Sequence, residues 1–188
     1  SAVEAGISES VATMGTAFTE DHGRELRRLT DHIIICYDGD KAGLAAANKA
    51  IPILMSQNFI VSVVEIPSKM DPDEFIKTNG AEAFSKLVDQ AIPAIDYQYR
   101  YIKRQFNLEF VSHRDQFKRA IYHLAYSLQS PTLQELILKK LAQDISIGEQ
   151  SILQEFASGK RQVYKNTNIN NNKNEMSQMR RHHLRDTK

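Results

Sequence analysis

Asp38 and Asp40 close the apolar run Ile33-Ile34-Ile35-Cys36-Tyr37 and are followed by Lys41-Ala42-Gly43. Alternate residues at the end of a strand project to the same side, and Gly39 permits a close turn between them, so both carboxylates can face one ligand. One or two hard oxygen ligands of this kind suit Mg²⁺, whose octahedron is completed by water or substrate phosphates. The same residues also read as plain helix architecture, with Asp40 the N-cap of a helix beginning at Lys41 and Asp38 a loop acid.

Spacing tests two other Asp-Gly-Asp chemistries. An EF-hand loop starting at Asp38 needs an oxygen ligand at its fifth position and Glu at its twelfth, but those are Ala42 and Lys49, which excludes calcium of that type. A phosphatase with an aspartyl nucleophile usually sets a small hydroxyl residue after its Asp-x-Asp; here Lys41, Ala42 and Gly43 follow, which weakens that reading. A second acidic group, Asp71-Pro72-Asp73-Glu74, makes a good helix start by itself, with Asp71 as N-cap and Pro72 at the first helical position. In a parallel sheet the strand ending near Pro67 delivers this loop to the edge that carries Asp38, where open α/β sheets bind their ligands. Carboxylates gathered there repel one another unless cations neutralise them.

The elements that must position these acids alternate. Ser10 to Met14, His32 to Tyr37 and Phe59 to Ile66 are short β-branched runs, the second apolar on both faces as for a parallel strand covered by helices on each side. Thr19 caps a helix with Glu20 and Asp21 in its first turn and Arg27 and Arg28 in its last. An Ala-rich helix is expected from Lys41 to about Gln57, with Pro52 kinking it or ending it early. A short helix over Asp73 to Thr78 is closed by Asn79 and Gly80.

After residue 80 the strand signals cease. Ile92, Ile95, Tyr99, Ile102 and Phe106 give one helix face, and Ser112 with Asp115 opens a second helix carrying Phe117, Ile121, Leu124 and Leu128. Ser130-Pro131 starts a third with Leu133, Leu136, Ile137 and Leu141, and Ser146 with Glu149 boxes a fourth with Ile152, Leu153 and Phe156, stopped near Gly159. The expected class is thus α/β: part of a parallel-sheet domain over 1–91, a small helical bundle over 92–160, and a disordered, flexible basic tail over 161–188.

Composition narrows the function classes. The 188 residues carry a formal net charge of +1, but seven Lys and Arg against two acids after residue 160 give the tail +5 and leave residues 1 to 160 at −4. Six of the nine residues from Asn166 to Asn174 are Asn. No apolar run approaches the roughly 18 to 20 residues that cross a bilayer, and Ser1 to Ser10 has neither a basic segment nor an apolar core, so a membrane or exported protein is disfavoured. The single cysteine, Cys36, makes a cytoplasmic location the default and is expected to be a small core residue. The histidines lack metal-ligand spacing, so no zinc is expected. The first residue is Ser and the opening looks like the inside of a helix, so the chain is expected to be a piece of something longer.

The stretch Ala12-Thr13-Met14-Gly15-Thr16-Ala17-Phe18-Thr19, then Ile33 to Gly43, then Asp71-Pro72-Asp73-Glu74 resembles the toprim region of bacterial DNA primase, the replication RNA polymerase that makes primers, and the likeness extends over about residues 1 to 160. Asp-x-Asp and the general fold are shared with topoisomerases and some nucleases. The resemblance implies a Mg²⁺ or Mn²⁺ site for nucleotidyl transfer, with Asp38 and Asp40 as catalytic metal ligands and Asp71 and Asp73 contributing to the acidic patch. It implies a single-stranded DNA template, nucleoside triphosphates and an RNA primer as partners, and the replicative helicase through a module not in this chain. The family's Glu-Gly motif is absent; Glu4 and Glu9 match later positions, so the isolated chain is expected to be inactive and the activity to belong to a longer parent. The competing readings are a toprim nuclease or topoisomerase fragment, for which no nucleophilic tyrosine is marked, and a noncatalytic interaction scaffold whose acids are caps.

Lesser features carry double readings. Arg24, Arg27 and Arg28, near the Gly15-Thr16 loop, can meet template phosphates or form a solvated helix end. Lys41 can meet a phosphate or stay solvated. Tyr99 is read as part of the apolar stripe and Tyr97 and Tyr101 as edging the bundle, with core favoured over base stacking. The basic tail adds nonspecific nucleic-acid affinity or serves as a linker.

Overall fold

The computed structural model describes residues 3, 6–12, 17–67 and 70–159. The chain divides into two compact units, Ser1–Tyr101 and Ile102–Lys188, the division falling within one helix. No helix among the described residues is long and apolar enough to cross a membrane.

The first unit alternates helix and strand: α1 (Glu20–Leu26), β1 (His32–Cys36), α2 (Lys41–Ser56), β2 (Ile60–Val64), α3 (Pro72–Asn79), α4 (Ala81–Asp89), β3 (Ile92–Pro93) and α5 (Ala94–Lys103). β1 and β2 are parallel, with His32 opposite Ile60 and Cys36 opposite Val64, and β3 runs antiparallel to β2. The spatial order is β1-β2-β3. Period-two alternation splits the apolar residues between two cores. Ile35, Val61 and Val63 join Ala47, Ala50, Ile51 and Leu54 of α2, while Val64 and Ile66 join Phe75 and Phe84, with Cys36 packed against them.

Four expectations are corrected here. Ser10 to Met14 does not form the expected strand among its described residues: 10–12 are unpaired and Val11 is 74% exposed, because one β-branched residue without a ladder partner buries too little to hold a strand. β1 is not covered on both faces, since the second core reaches only the Cys36 and Val64 end and leaves Ile34 49% and Ile60 58% exposed. α2 spans Lys41–Ser56, close to the expected range, and does not end early at Pro52. Burial of Ile51 and Leu54 on either side, about 1.5–3 kcal/mol each, offsets the roughly 3 kcal/mol of an internal proline. The strand signals do not cease at 80: after Gly80, which takes φ 87° between α3 and α4, Pro93 sits in β3, an edge strand where a missing N–H is tolerated.

The second unit holds α6 (Val111–Ser127), α7 (Pro131–Ile145) and a helix over 149–159, α8. Phe117, Ile121, Leu124 and Leu128 are buried as expected, and Ser130 Oγ accepts from the Leu133 amide at the head of α7. Three details differ. Phe110, not Ser112, stands at the N-cap of α6, without a side-chain cap. α7 buries Gln134, Ile137, Leu138, Leu141, Ala142 and Ile145, leaving Leu136 57% exposed. Ser146 takes φ 57° and closes α7, so Gly148 C=O receives the first bonds of α8. Tyr122 and Tyr126 fasten α8 to α6: Tyr122 O–H donates to Ile152 C=O and to Glu155 Oε2 (both 3.2 Å), and Tyr126 stacks on Phe156 at 4.4 Å. Burial, then the Glu155 charge, pushes the Tyr122 phenol up. The basic tail expected over 161–188 lies outside the described residues.

Candidate metal centre

β1 ends at Cys36, and Tyr37-Asp38-Gly39 carries the chain to Asp40, the N-cap of α2. Asp40 has extended backbone (φ −86°, ψ 177°), and its Oδ1 accepts from the Gly43 amide at 2.7 Å. Asp71 repeats this at the start of α3: φ −84°, ψ 165°, Oδ1 accepting from the Glu74 amide at 2.7 Å. A capping aspartate uses one oxygen on the helix, and both residues are exposed. Asp40 and Asp71 therefore have the cap roles that the sequence allows them.

The two acidic loops meet. Gly39 N–H donates to Met70 C=O at 2.9 Å, tying the loop after β1 to the residue before Asp71. This is the edge to which the parallel β1 and β2 deliver their carboxyl ends. The four aspartates differ in what engages them. Asp38 is exposed, and among the described residues no hydrogen bond or ion pair holds its carboxylate. Asp73 turns to its own helix, pairing with Lys77 at 2.6 Å; that hydrogen bond and the lysine charge hold its carboxyl below the usual range.

No three His, Cys, Asp or Glu among the described residues are grouped so as to hold a metal ion. The edge is therefore not a closed cage: the Asp38 carboxylate has no hydrogen bond or ion pair among the described residues, and Asp40 and Asp71 each have one oxygen on a helix amide. Such a set fits a hard divalent cation that keeps several waters and takes further oxygens from phosphates. It does not fit zinc, which takes four protein ligands of nitrogen or sulfur in structural sites.

The surroundings are accounted for locally. The Cys36 thiol is pushed up to about 11 by burial and then by the Asp38 charge, as for a core thiol beside an acid. His22 accepts from the Thr19 amide through Nδ1 in the α1 cap, and His113 Nδ1 accepts from the Asn107 amide. Arg24, Arg27 and Arg28 pair with Asp21, Asp31 and Glu25 beside them, and the Arg27 guanidinium lies over Phe59, 5.3 Å from the ring centroid. The Gly15-Thr16 loop lies outside the described residues. Tyr97 and Tyr99 are buried and Tyr101 is half-buried; Tyr97 lies in the core of the first unit with Ile35 and Ile51 rather than at a bundle edge. The Gly39-to-Met70 tie was missed by sequence reasoning, since a backbone bond between loops some thirty residues apart leaves no side-chain signature.

A toprim-like family model matches residues 1–76. A DNA primase of Listeria innocua is 34% identical over 171 residues, covering 88% of this chain and 27% of the relative. A solved DnaG primase catalytic domain bound to ssDNA superposes with a TM-score of 0.68 at 27% identity, covering 80% of this chain and 49% of that one. The Escherichia coli primase catalytic core gives 0.66 at 28% identity, with 78% and 48% covered. The chain thus spans about a quarter of the length of the curated relatives it matches and about half of the solved catalytic cores. Sequence and fold agree: the chain is a relative of the bacterial DNA primases, homologous to a segment of their catalytic core and toprim-like over residues 1–76.

Proposed function

We propose that this chain supplies the cation-binding edge of a bacterial primase catalytic core, which makes short RNA primers on single-stranded DNA for replication. The observation that carries this is the Gly39-to-Met70 bond, which joins two aspartate-bearing loops at one sheet edge in a primase relative. Asp38 and Asp40 would hold Mg²⁺ or Mn²⁺, with Asp71 and Asp73 adding negative charge beside them. When bound, the cation neutralises the charge that develops as the primer 3′-oxygen displaces pyrophosphate from an incoming nucleoside triphosphate. The chain's own part is to present Asp38, unpaired among the described residues, in front of two helix starts and to keep the two loops in register.

The partners under this reading are a single-stranded DNA template, nucleoside triphosphates and the RNA primer, and, through a module outside this chain, the replicative helicase; the location is cytoplasmic. The helical bundle begins near Ile102 rather than at residue 92, since β3 and most of α5 belong with the first unit, and 161–188 act as a basic tail that adds nonspecific nucleic-acid affinity. The 188-residue polypeptide alone makes no primers, because the toprim glutamate is not in it. Templated synthesis by this polypeptide would sink that statement.

A second reading, a noncatalytic scaffold whose acids are caps, is favoured by Asp40 and Asp71 each capping a helix and Asp73 pairing with Lys77. Mn²⁺ titration with amide signals as the readout separates the two. Broadening centred on residues 38–41 and 70–73 supports the metal reading, and none at millimolar Mn²⁺ supports the scaffold.

A further inference from the structure

α2 opens with good helix formers, Lys41, Ala42, Leu44, Ala45, Ala46 and Ala47, with one exception in its first turn, Gly43. Glycine is the weaker helix former, so propensity alone favours alanine there as well. The exception has a steric cause. Gly43 is buried, and a Cβ on it would lie 2.2 Å from Asp38 O, 2.8 Å from Asp38 N and 2.9 Å from Asp38 C, all backbone atoms. Atoms of that kind do not approach so closely, and backbone cannot swing aside as a side-chain tip can.

The contact reaches both acidic loops. Asp38 C and O share one rigid peptide plane with Gly39 N. Gly39 N is the donor to Met70 C=O. Moving Asp38 O by about 1 Å tilts that plane and takes the Gly39 bond out of range, since hydrogen bonds weaken steeply with distance and angle. Gly43 also gives its own amide to Asp40 Oδ1.

We propose that Gly43 is the positioning residue of this edge: its missing Cβ seats the Asp38 backbone on the first turn of α2, its N–H fixes Asp40, and through the Asp38–Gly39 peptide it sets the register of the Asp71 loop. The metal consequence rests on the function proposed above, but the backbone consequence does not. Gly43 touches no substrate; it acts through the two aspartates.

The test uses the full 188-residue chain, first without metal and then with Mn²⁺ alone. In metal-free amide exchange the wild-type Gly39 amide is protected, and in Gly43→Ala it exchanges about tenfold faster or more. The Mn²⁺ concentration that half-broadens the 38–41 amides rises about tenfold or more in the same variant, a matched loss of affinity. Ile51→Val, which trims the α2 core without touching Asp38, is the control and leaves both readouts near wild type. Gly43→Ala within about twofold of wild type in both overturns the proposal. A wild-type chain that ignores Mn²⁺ but whose Gly39 exchange responds to Gly43→Ala removes the metal reading and upholds the positioning. Should Gly43→Ala not fold, the wild type still decides: Gly39 and Gly43 amides that open together uphold the proposal, and a Gly39 amide exchanging at the free-peptide rate overturns it.

Discussion

Asp40 and Asp71 do the same local work, each giving one carboxylate oxygen to an amide three residues on, at 2.7 Å, to begin a helix. Their neighbours two residues away differ. Asp38 precedes its cap, outside the helix, where no helical lysine stands four residues on; Asp73 follows its cap, inside the helix, one turn before Lys77, and pairs with it. An acid placed before a cap keeps its charge for a ligand, and an acid placed after one tends to be paired along the helix. Under the function proposed above, the first loop is the one that would hold the cation, and the second would contribute charge and register.

Four experiments break or sharpen that contrast. The largest expected effect is Asp38→Asn: Mn²⁺ affinity, read from amide broadening, falls at least about tenfold, while stability stays within about 0.5 kcal/mol, as for an exposed residue without structural bonds. A large loss of stability with Mn²⁺ binding intact would return Asp38 to plain architecture. Next come Asp40→Ala and Asp71→Ala. Each loses about 1 kcal/mol in urea unfolding as its cap is removed, but only the Asp40 change also weakens Mn²⁺ by about tenfold. Equal metal losses would make the two loops equivalent.

Cys36 reports the Asp38 charge from inside. Its thiol is raised from the ordinary 9.0 to about 11, first by burial and then by Asp38. The folded state thus binds the proton more tightly than the unfolded one, so this contribution to stability is complete below pH 9 and is lost as pH rises through 11. Alkylation of Cys36 should accordingly rise with pH toward about 11, and Asp38→Asn should move that profile to lower pH. A profile centred near the ordinary value would mean an unburied thiol. The smallest effect belongs to Lys77→Met, which removes one ion pair from Asp73 and raises Mn²⁺ affinity by less than about threefold, the scale of one exposed ion pair. A rise as large as the Asp38 loss would show that the second loop had been silenced only by its lysine.

Legibility followed the range of the interaction. The caps at Thr19, Asp40, Asp71 and Ser130 were readable because a cap is made by a side chain and an amide two or three residues apart. The α6 stripe of Phe117, Ile121 and Leu124 was readable from its period. α4 was missed although Phe84, Leu87 and Val88 lie at helical spacing, because Gly80 looked like the end of a helix and serves as the end of one and the start of another. The face of α7 was misjudged at Leu133 and Leu136, since a run of apolar residues around Leu136-Ile137-Leu138 fits two faces and only the neighbouring helix chooses. Of the candidate site, all four aspartates were legible as acids near helix starts and two of them as caps; that Asp38 stays unengaged among the described residues while Asp73 pairs with Lys77 was not.

The sequence by itself determined two helix starts rich in aspartate, each following a β-branched run, and through periodicity the helices of the second unit. Those are local matters, settled by dihedral preferences, side-chain reach and spacing within a few residues. The tertiary structure decided that the starts are neighbours, through one hydrogen bond from Gly39 to Met70, and that residue 43 must be glycine, through the approach of Asp38 to α2. Both depend on where β1, α2 and the loop before α3 come to rest in packing their cores, and close approach of backbone to backbone is fixed by that packing rather than by any pattern along the chain.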